Sequence, residues 1–320
     1  MHIPENYLSP ATCAVMAAAA VPAVAVSVKK VKEAFPREKL TQLGAGAAFS
    51  FLIMMLNLPL PGGTTGHAVG AVLLSLLFGP CAACLSVSMA LLLQALLFGD
   101  GGVLSFGANC FNMAVVMPFV GYYVYRLLCR LLRSSAGEKI AAAIASWVGL
   151  NAAALCAAIE FGIQPMLFRD AQGLALYCPY PLSVSIPAMM IPHMLVVGFV
   201  EAAFTIALLA YFRKTGAGSA DAPASGIGKP AAILLLILIA AVPLGLLASG
   251  TAWGEWGADE IAATGAGYTP QELLNGFSFR SLLPDYTVAG LPEIAGYLIS
   301  AAAGAAILVI VFKLFSTRKE

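Results

Sequence analysis

Only three histidines occur among the 320 residues, and two of them stand where a metal ion would find nitrogen donors. Position 2 is chemically special for a histidine. The α-amine of Met1, the amide nitrogen of His2 and His2 Nδ1 can close a five- and a six-membered chelate ring on one cation. The amide must lose its proton, which Ni(II) and Cu(II) can induce and which favours planar nitrogen geometry. His67 ends the short loop PLPGGTTGH and offers a fourth nitrogen; the glycines of that loop permit close backbone approach. Binding would release protons, so affinity is expected to fall in acid. The bland alternatives are a frayed terminus at position 2 and a polar cap at position 67.

Other groups carry weaker chemical signals. His193 and Glu201 lie eight positions apart on roughly one face of an apolar run, and an ionisable group inside a membrane span is a functional hypothesis by default. They can line a polar pathway, support the metal ligands, or satisfy neighbours in a bundle. Glu160 is expected at a water-facing rim. The stretch FGDGGVLSFGANCFNM (98–113) puts Asp100, Asn109 and Asn112 on or near one loop; the asparagines either cap a helix or position the metal loop. Cys81-Ala-Ala-Cys84 has the spacing of metal and redox sites, without a second pair. The seven cysteines are dispersed and do not form a disulfide framework.

The elements that must position these residues follow from composition. Hydrophobic residues make up 60% of the chain and charged residues 10%, against about 25% charged in ordinary soluble domains. Too little polar surface is left for a soluble enzyme, a nucleic-acid binder or a disordered regulator. Long unbroken apolar runs, rather than alternation, predict an all-α polytopic membrane helix bundle instead of a barrel. The runs predict nine spans, at 10–28, 43–58, 64–78, 81–98, 109–128, 140–161, 187–212, 230–248 and 294–312. Counting two helices within 64–98 places the Lys/Arg-bearing segments, apart from those of Arg169 and Arg280, on one side. The positive-inside rule then puts the N-terminus outside and the C-terminus inside. His2 and His67 consequently share the outer surface.

The opening MHIPENYLSP carries Glu5 and no basic residue, the reverse of a signal peptide, so Met1 is expected to be the mature N-terminus. Residues 213–229, rich in Gly, Ser, Ala and Pro, are expected to form a flexible cytoplasmic linker. It separates a seven-span module (1–212) from a two-span module (230–320) with a long outer loop at about 249–292. No phosphate-binding GxxxxGK[ST] motif occurs, since Gly228-Lys229 is followed by Pro230. ATP-driven work would require another polypeptide.

MHIPENYLSP, GGTTGH, FGDGG…GANCFNMA and IPHMLVVGFVEA, in that order, resemble the metal-binding membrane component (CbiM/NikM type) of cobalt and nickel energy-coupling factor transporters. The likeness covers about residues 1–212. The final module, with SLLPDYTVAGLPE in its loop, resembles the small CbiN/NikN-type partner, fused here. Pro284-Asp285 matches that family's pattern, whereas Tyr286-Thr287 departs from the usual PDG continuation. The resemblance implies capture of Co2+ or Ni2+ as substrate by the Met1 amine, His2 and His67, with the N-terminus inserted into the protein. It also implies partnership with a transmembrane coupling protein and cytoplasmic ATPases in the cell inner (cytoplasmic) membrane, no intrinsic cofactor, and no catalysis by this chain. Two other classes stand beside it: a self-contained secondary transporter using His193 and Glu201 as a proton relay, and a membrane thiol redox protein using Cys81 and Cys84.

Overall fold

The computed structural model describes residues 1–60, 64–215, 227–248 and 250–317. Pro61, Gly62 and Gly63 of the predicted loop, and 216–226 of the predicted linker, lie outside these residues. The architecture is an all-α membrane bundle with one small β-hairpin among the described residues. Among the described residues, seven helices are long and apolar enough to cross a membrane: α1 (Pro10–Ala34), α4 (Pro80–Phe98), α5 (Phe106–Leu131), α6 (Ser135–Leu167), α7 (Leu182–Thr215), α8 (Lys229–Leu247) and α9 (Glu293–Thr317). Two shorter helices, α2 (Leu40–Met54) and α3 (Ala71–Phe78), complete the set used below.

The spans expected at 43–58 and 64–78 are therefore corrected. The first helix has 15 residues and the second only 8, short of the ~20 needed to cross. Strands β1 (Leu58–Leu60) and β2 (Thr64–Gly66) pair as an antiparallel hairpin, with Leu58 opposite Gly66, and consume the missing helical length. Residues 67–70 follow as buried, irregular backbone before α3 begins. Gly70 starts that helix with φ 73°, and a Cβ there would lie 2.3 Å from the Phe49 ring, so only glycine fits. His67 before α3 and Asp100 after α4 both lie beside His2, so the chain reverses between α3 and α4.

Local chemistry explains the remaining features. Ser9 caps α1 by accepting from Thr12 N at 3.1 Å, and Pro10 occupies its first turn. Wide π-helical turns interrupt α4 at Gln94–Phe98, α5 at Cys110–Val116 and α7 at His193–Val197. Pro118 and Pro192, which lack an N–H, stand just after and just before two of them and loosen the helical ladder there. These turns carry the buried polar residues Gln94, Asn112 and His193. The last helix packs along α2. Gly304 permits that approach, since a Cβ there would meet the Phe51 ring at 2.5 Å.

Candidate metal centre

Residues 1–9, which a frayed terminus would leave in solvent, are threaded into the protein. Met1 is 5% exposed and Ile3 fully buried. Asn109 holds the Ile3 peptide on both sides: its Oδ1 accepts from Ile3 N at 2.8 Å, and its Nδ2 donates to Ile3 O at 3.1 Å. Gly102 N adds a bond to Ile3 O at 2.9 Å. Gln164 Oε1 accepts from Ser9 N at 3.0 Å, and Tyr7 donates its hydroxyl to Trp256 O at 2.7 Å. Glu5 accepts from the backbone N–H groups of Val103 and Leu104. Burial still raises its pKa above the usual carboxylate value, those two bonds opposing the rise.

This anchoring brings His2 beside His67, their ring centroids 4.9 Å apart and planes tilted by 32°. Both are buried. With nitrogen donors about 2.0–2.1 Å from a metal, imidazoles in adjacent positions have centroids about 4.5 Å apart and in opposite positions about 6.4 Å. The observed separation suits adjacent positions. His67 Nδ1 pairs with Ala68 O at 3.1 Å, which leaves its Nε2 buried and without a hydrogen-bond partner among the described residues. A ring nitrogen tied to a carbonyl, with the other free, is the usual preparation of a histidine for a metal. Burial, then the terminal ammonium and His2, hold the His67 pKa well below its ordinary value, so the ring is neutral and its lone pair available.

Two carboxylates flank the donors. Asp100 Oδ1 lies 3.2 Å from His2 Nδ1, and Glu255 Oε1 lies 3.4 Å from the Met1 amine. For Nδ1 to join the chelate, the cation takes the place of the proton facing Asp100, and the carboxylate stays beside it as counter-charge. Among the described residues no group of three or more His, Cys, Asp or Glu is gathered as a conventional site; a metal held here would need backbone nitrogen.

The other sequence candidates take different places. His193 is buried, with Nδ1 2.6 Å from Met189 O and Nε2 without a partner among the described residues. Glu201 bonds to neither histidine. Its carboxylate accepts from Val69 N at 2.8 Å and Gly70 N at 3.0 Å, capping α3 and holding the segment that carries His67. Asn112 donates to Glu160 Oε2 at 2.8 Å. Glu160 is thus a buried partner inside the bundle, 5% exposed, and not the rim residue expected. Cys81 and Cys84 are free thiols. Sequence reasoning missed Glu255 and Tyr286. The flanking tryptophans of Trp253-Gly-Glu-Trp256, apolar residues in a polar loop, were the available signal for the first.

Fold and pocket together define a multi-pass membrane protein with an enclosed set of nitrogen donors. A family model described as the cobalt uptake substrate-specific transmembrane region (CbiM) matches residues 2–218, and a PDGLE domain matches 229–318. The probable fused nickel transport protein LarMN of Lactiplantibacillus plantarum is 48% identical, over 98% of this chain and 97% of its own length. The fused nickel transport protein NikMN of Rhodobacter capsulatus is 45% identical, over 97% and 95% respectively. A solved structure of a truncated transition metal transporter shares 53% identity with a TM-score of 0.64, covering 67% of this chain and 99% of its own. The chain belongs to the CbiM family of transmembrane metal-transport proteins and carries a PDGLE domain fused behind it.

Proposed function

We propose that this chain is the substrate-binding membrane subunit of an energy-coupling factor importer for Ni2+ or Co2+. The observation that carries the reading is the burial of the Met1 amine, His2 and His67 around one pocket. The amine, the His2 amide nitrogen, His2 Nδ1 and His67 Nε2 form a four-nitrogen set. Such a set is planar in character and favours Ni(II) over Co(II) on geometry, and the relatives that match over nearly the full chain carry nickel in their names. Asp100 and Glu255 balance the charge of the captured ion, which an apolar bundle would otherwise refuse.

In this reading the N-terminus and the pocket face outward across the inner membrane, following the positive-inside rule, and the C-terminus lies in the cytoplasm. Energy comes from separate ATPases through a transmembrane coupling protein, since the chain itself lacks the Lys-bearing phosphate loop. The role of Glu201 as a backbone cap weakens the proton-relay alternative.

Metal binding by the purified protein, compared with His2→Ala, His67→Ala and a form extended by one residue before Met1, tests the site. All three are expected to lose nickel and cobalt affinity by tenfold or more; unchanged affinity in all three overturns it. Uptake by vesicles holding this chain alone would overturn the coupling.

A further inference from the structure

The C-terminal module touches the pocket twice, and its contact through Tyr286 is the more elaborate. Asp285 and Tyr286 both adopt left-handed backbone, with φ of 52° and 60°, a conformation that L-residues other than Gly seldom adopt. The surroundings hold Tyr286 in place. Ser300 Oγ donates to its carbonyl at 2.8 Å, and its N–H donates to Leu283 O at 3.1 Å. Its ring stacks on Phe98 with centroids 4.6 Å apart and meets Tyr297 edge-on at 5.4 Å. Backbone strain maintained by several independent contacts points to a functional constraint at that residue.

What the strained turn achieves is the aim of one hydroxyl. Tyr286 donates its O–H to Asp100 Oδ2. Gln94 Nε2 donates to the same oxygen at 3.0 Å and to the Tyr286 hydroxyl at 3.0 Å. Burial, and then Asp100, push the phenol's pKa far upward, so it remains a donor. One oxygen of Asp100 is therefore taken by two donors, and the other is left facing His2 Nδ1.

We propose that Tyr286 is a positioning residue for metal capture: by fixing Oδ2 of Asp100 it holds Oδ1 at the Nδ1 edge of His2, which orients the ring before the cation arrives and sets the counter-charge beside the cation once Nδ1 binds it, and so makes the fused C-terminal module part of the capture site. This rests on the capture role proposed above for His2 and His67. It gives the module a defined task at the pocket, transmitted from α9 through Ser300, Tyr286 and Asp100 to a metal ligand. Removing the hydroxyl leaves Gln94 as the one remaining donor to Oδ2, so the carboxylate is held less firmly and the counter-charge at Nδ1 is displaced.

The test compares Tyr286→Phe, Asp100→Asn and the double variant in the full-length protein, with nickel affinity by calorimetry and the visible absorption band of bound Ni(II) as readouts. Tyr297→Phe is the structural control, because it loses a buried bond to Met55 O (2.9 Å) in the same aromatic cluster without touching Asp100. Tyr286→Phe is expected to lower affinity by about tenfold, the lower end of what loss of an outer-shell partner costs, and to shift the band. The double variant should bind no more weakly than Asp100→Asn, and Tyr297→Phe should bind as the unaltered protein does. Wild-type affinity and band for Tyr286→Phe, in a protein whose His67→Ala form has lost nickel, overturns this proposal alone; so do additive losses or an equal loss in Tyr297→Phe. Absence of nickel binding by the unaltered protein overturns the capture role and this proposal with it.

Discussion

Glu201 offers the sharpest check on how the pocket is built. Its two carboxylate oxygens receive Val69 N at 2.8 Å and Gly70 N at 3.0 and 3.2 Å, all of them buried. Glu201→Ala strands two buried N–H donors at roughly 1–3 kcal/mol each, so stability should fall by about 2–6 kcal/mol. Glu201→Gln keeps one carbonyl oxygen where Oε2 now stands, accepting from both donors, but sets its NH2 against Gly70 N–H in place of Oε1, and should cost about 1–3 kcal/mol. Because residues 69 and 70 lie two and three positions after His67, Ala should also reduce nickel affinity at least tenfold, with Gln in between. Denaturant unfolding in detergent and calorimetric nickel titration read the two effects. Native stability and native affinity in Glu201→Ala would refute the capping role. A proton relay predicts a different order, with Gln as damaging to transport as Ala while stability holds.

The pH dependence of loading separates the donors. His67, kept neutral by burial and its neighbours, contributes no proton on binding, whereas the His2 amide must lose one. Protons therefore compete with the cation, and affinity should fall steadily as pH is lowered. Calorimetry in buffers of different ionisation enthalpy counts the protons released; binding that releases none contradicts the chelate. Gly101 has φ 77°, and a Cβ there would lie 3.0 Å from Asn109 Nδ2 and 3.4 Å from His2 Cδ2. Gly101→Ala should cost about 1–2 kcal/mol for its backbone and lower nickel affinity as well. Gly173→Ala, at φ 84° with open space around its Cβ, should pay only the backbone cost and bind nickel normally.

Much of this architecture was legible in the sequence, for an identifiable reason. Apolar runs long enough to span a membrane, with basic residues biased to one side, constrain helix number and direction without any contact information. They failed at 43–78 because hydropathy does not distinguish a buried segment from a lipid-facing one. α2 and α3 are as apolar as a span, yet the interior of the protein is what covers them. Glu160 was misplaced on the same account: a carboxylate near a helix end is costly in lipid, but Asn112 supplies a partner that no spacing rule could reveal.

The chain's own chemistry named Met1, His2 and His67, because a chelating N-terminus is a local property of two residues and the topology put His67 on the same surface. Asn109 was among the partners the sequence left open; which group meets which was decided by tertiary structure. Asn109 grips Ile3 across 106 positions, Glu255 meets the first residue across 254, and Tyr286 reaches Asp100 across 186. A hydrogen bond needs atoms to meet within about 3 Å, and only the packing of two modules around one pocket brings such distant segments that close.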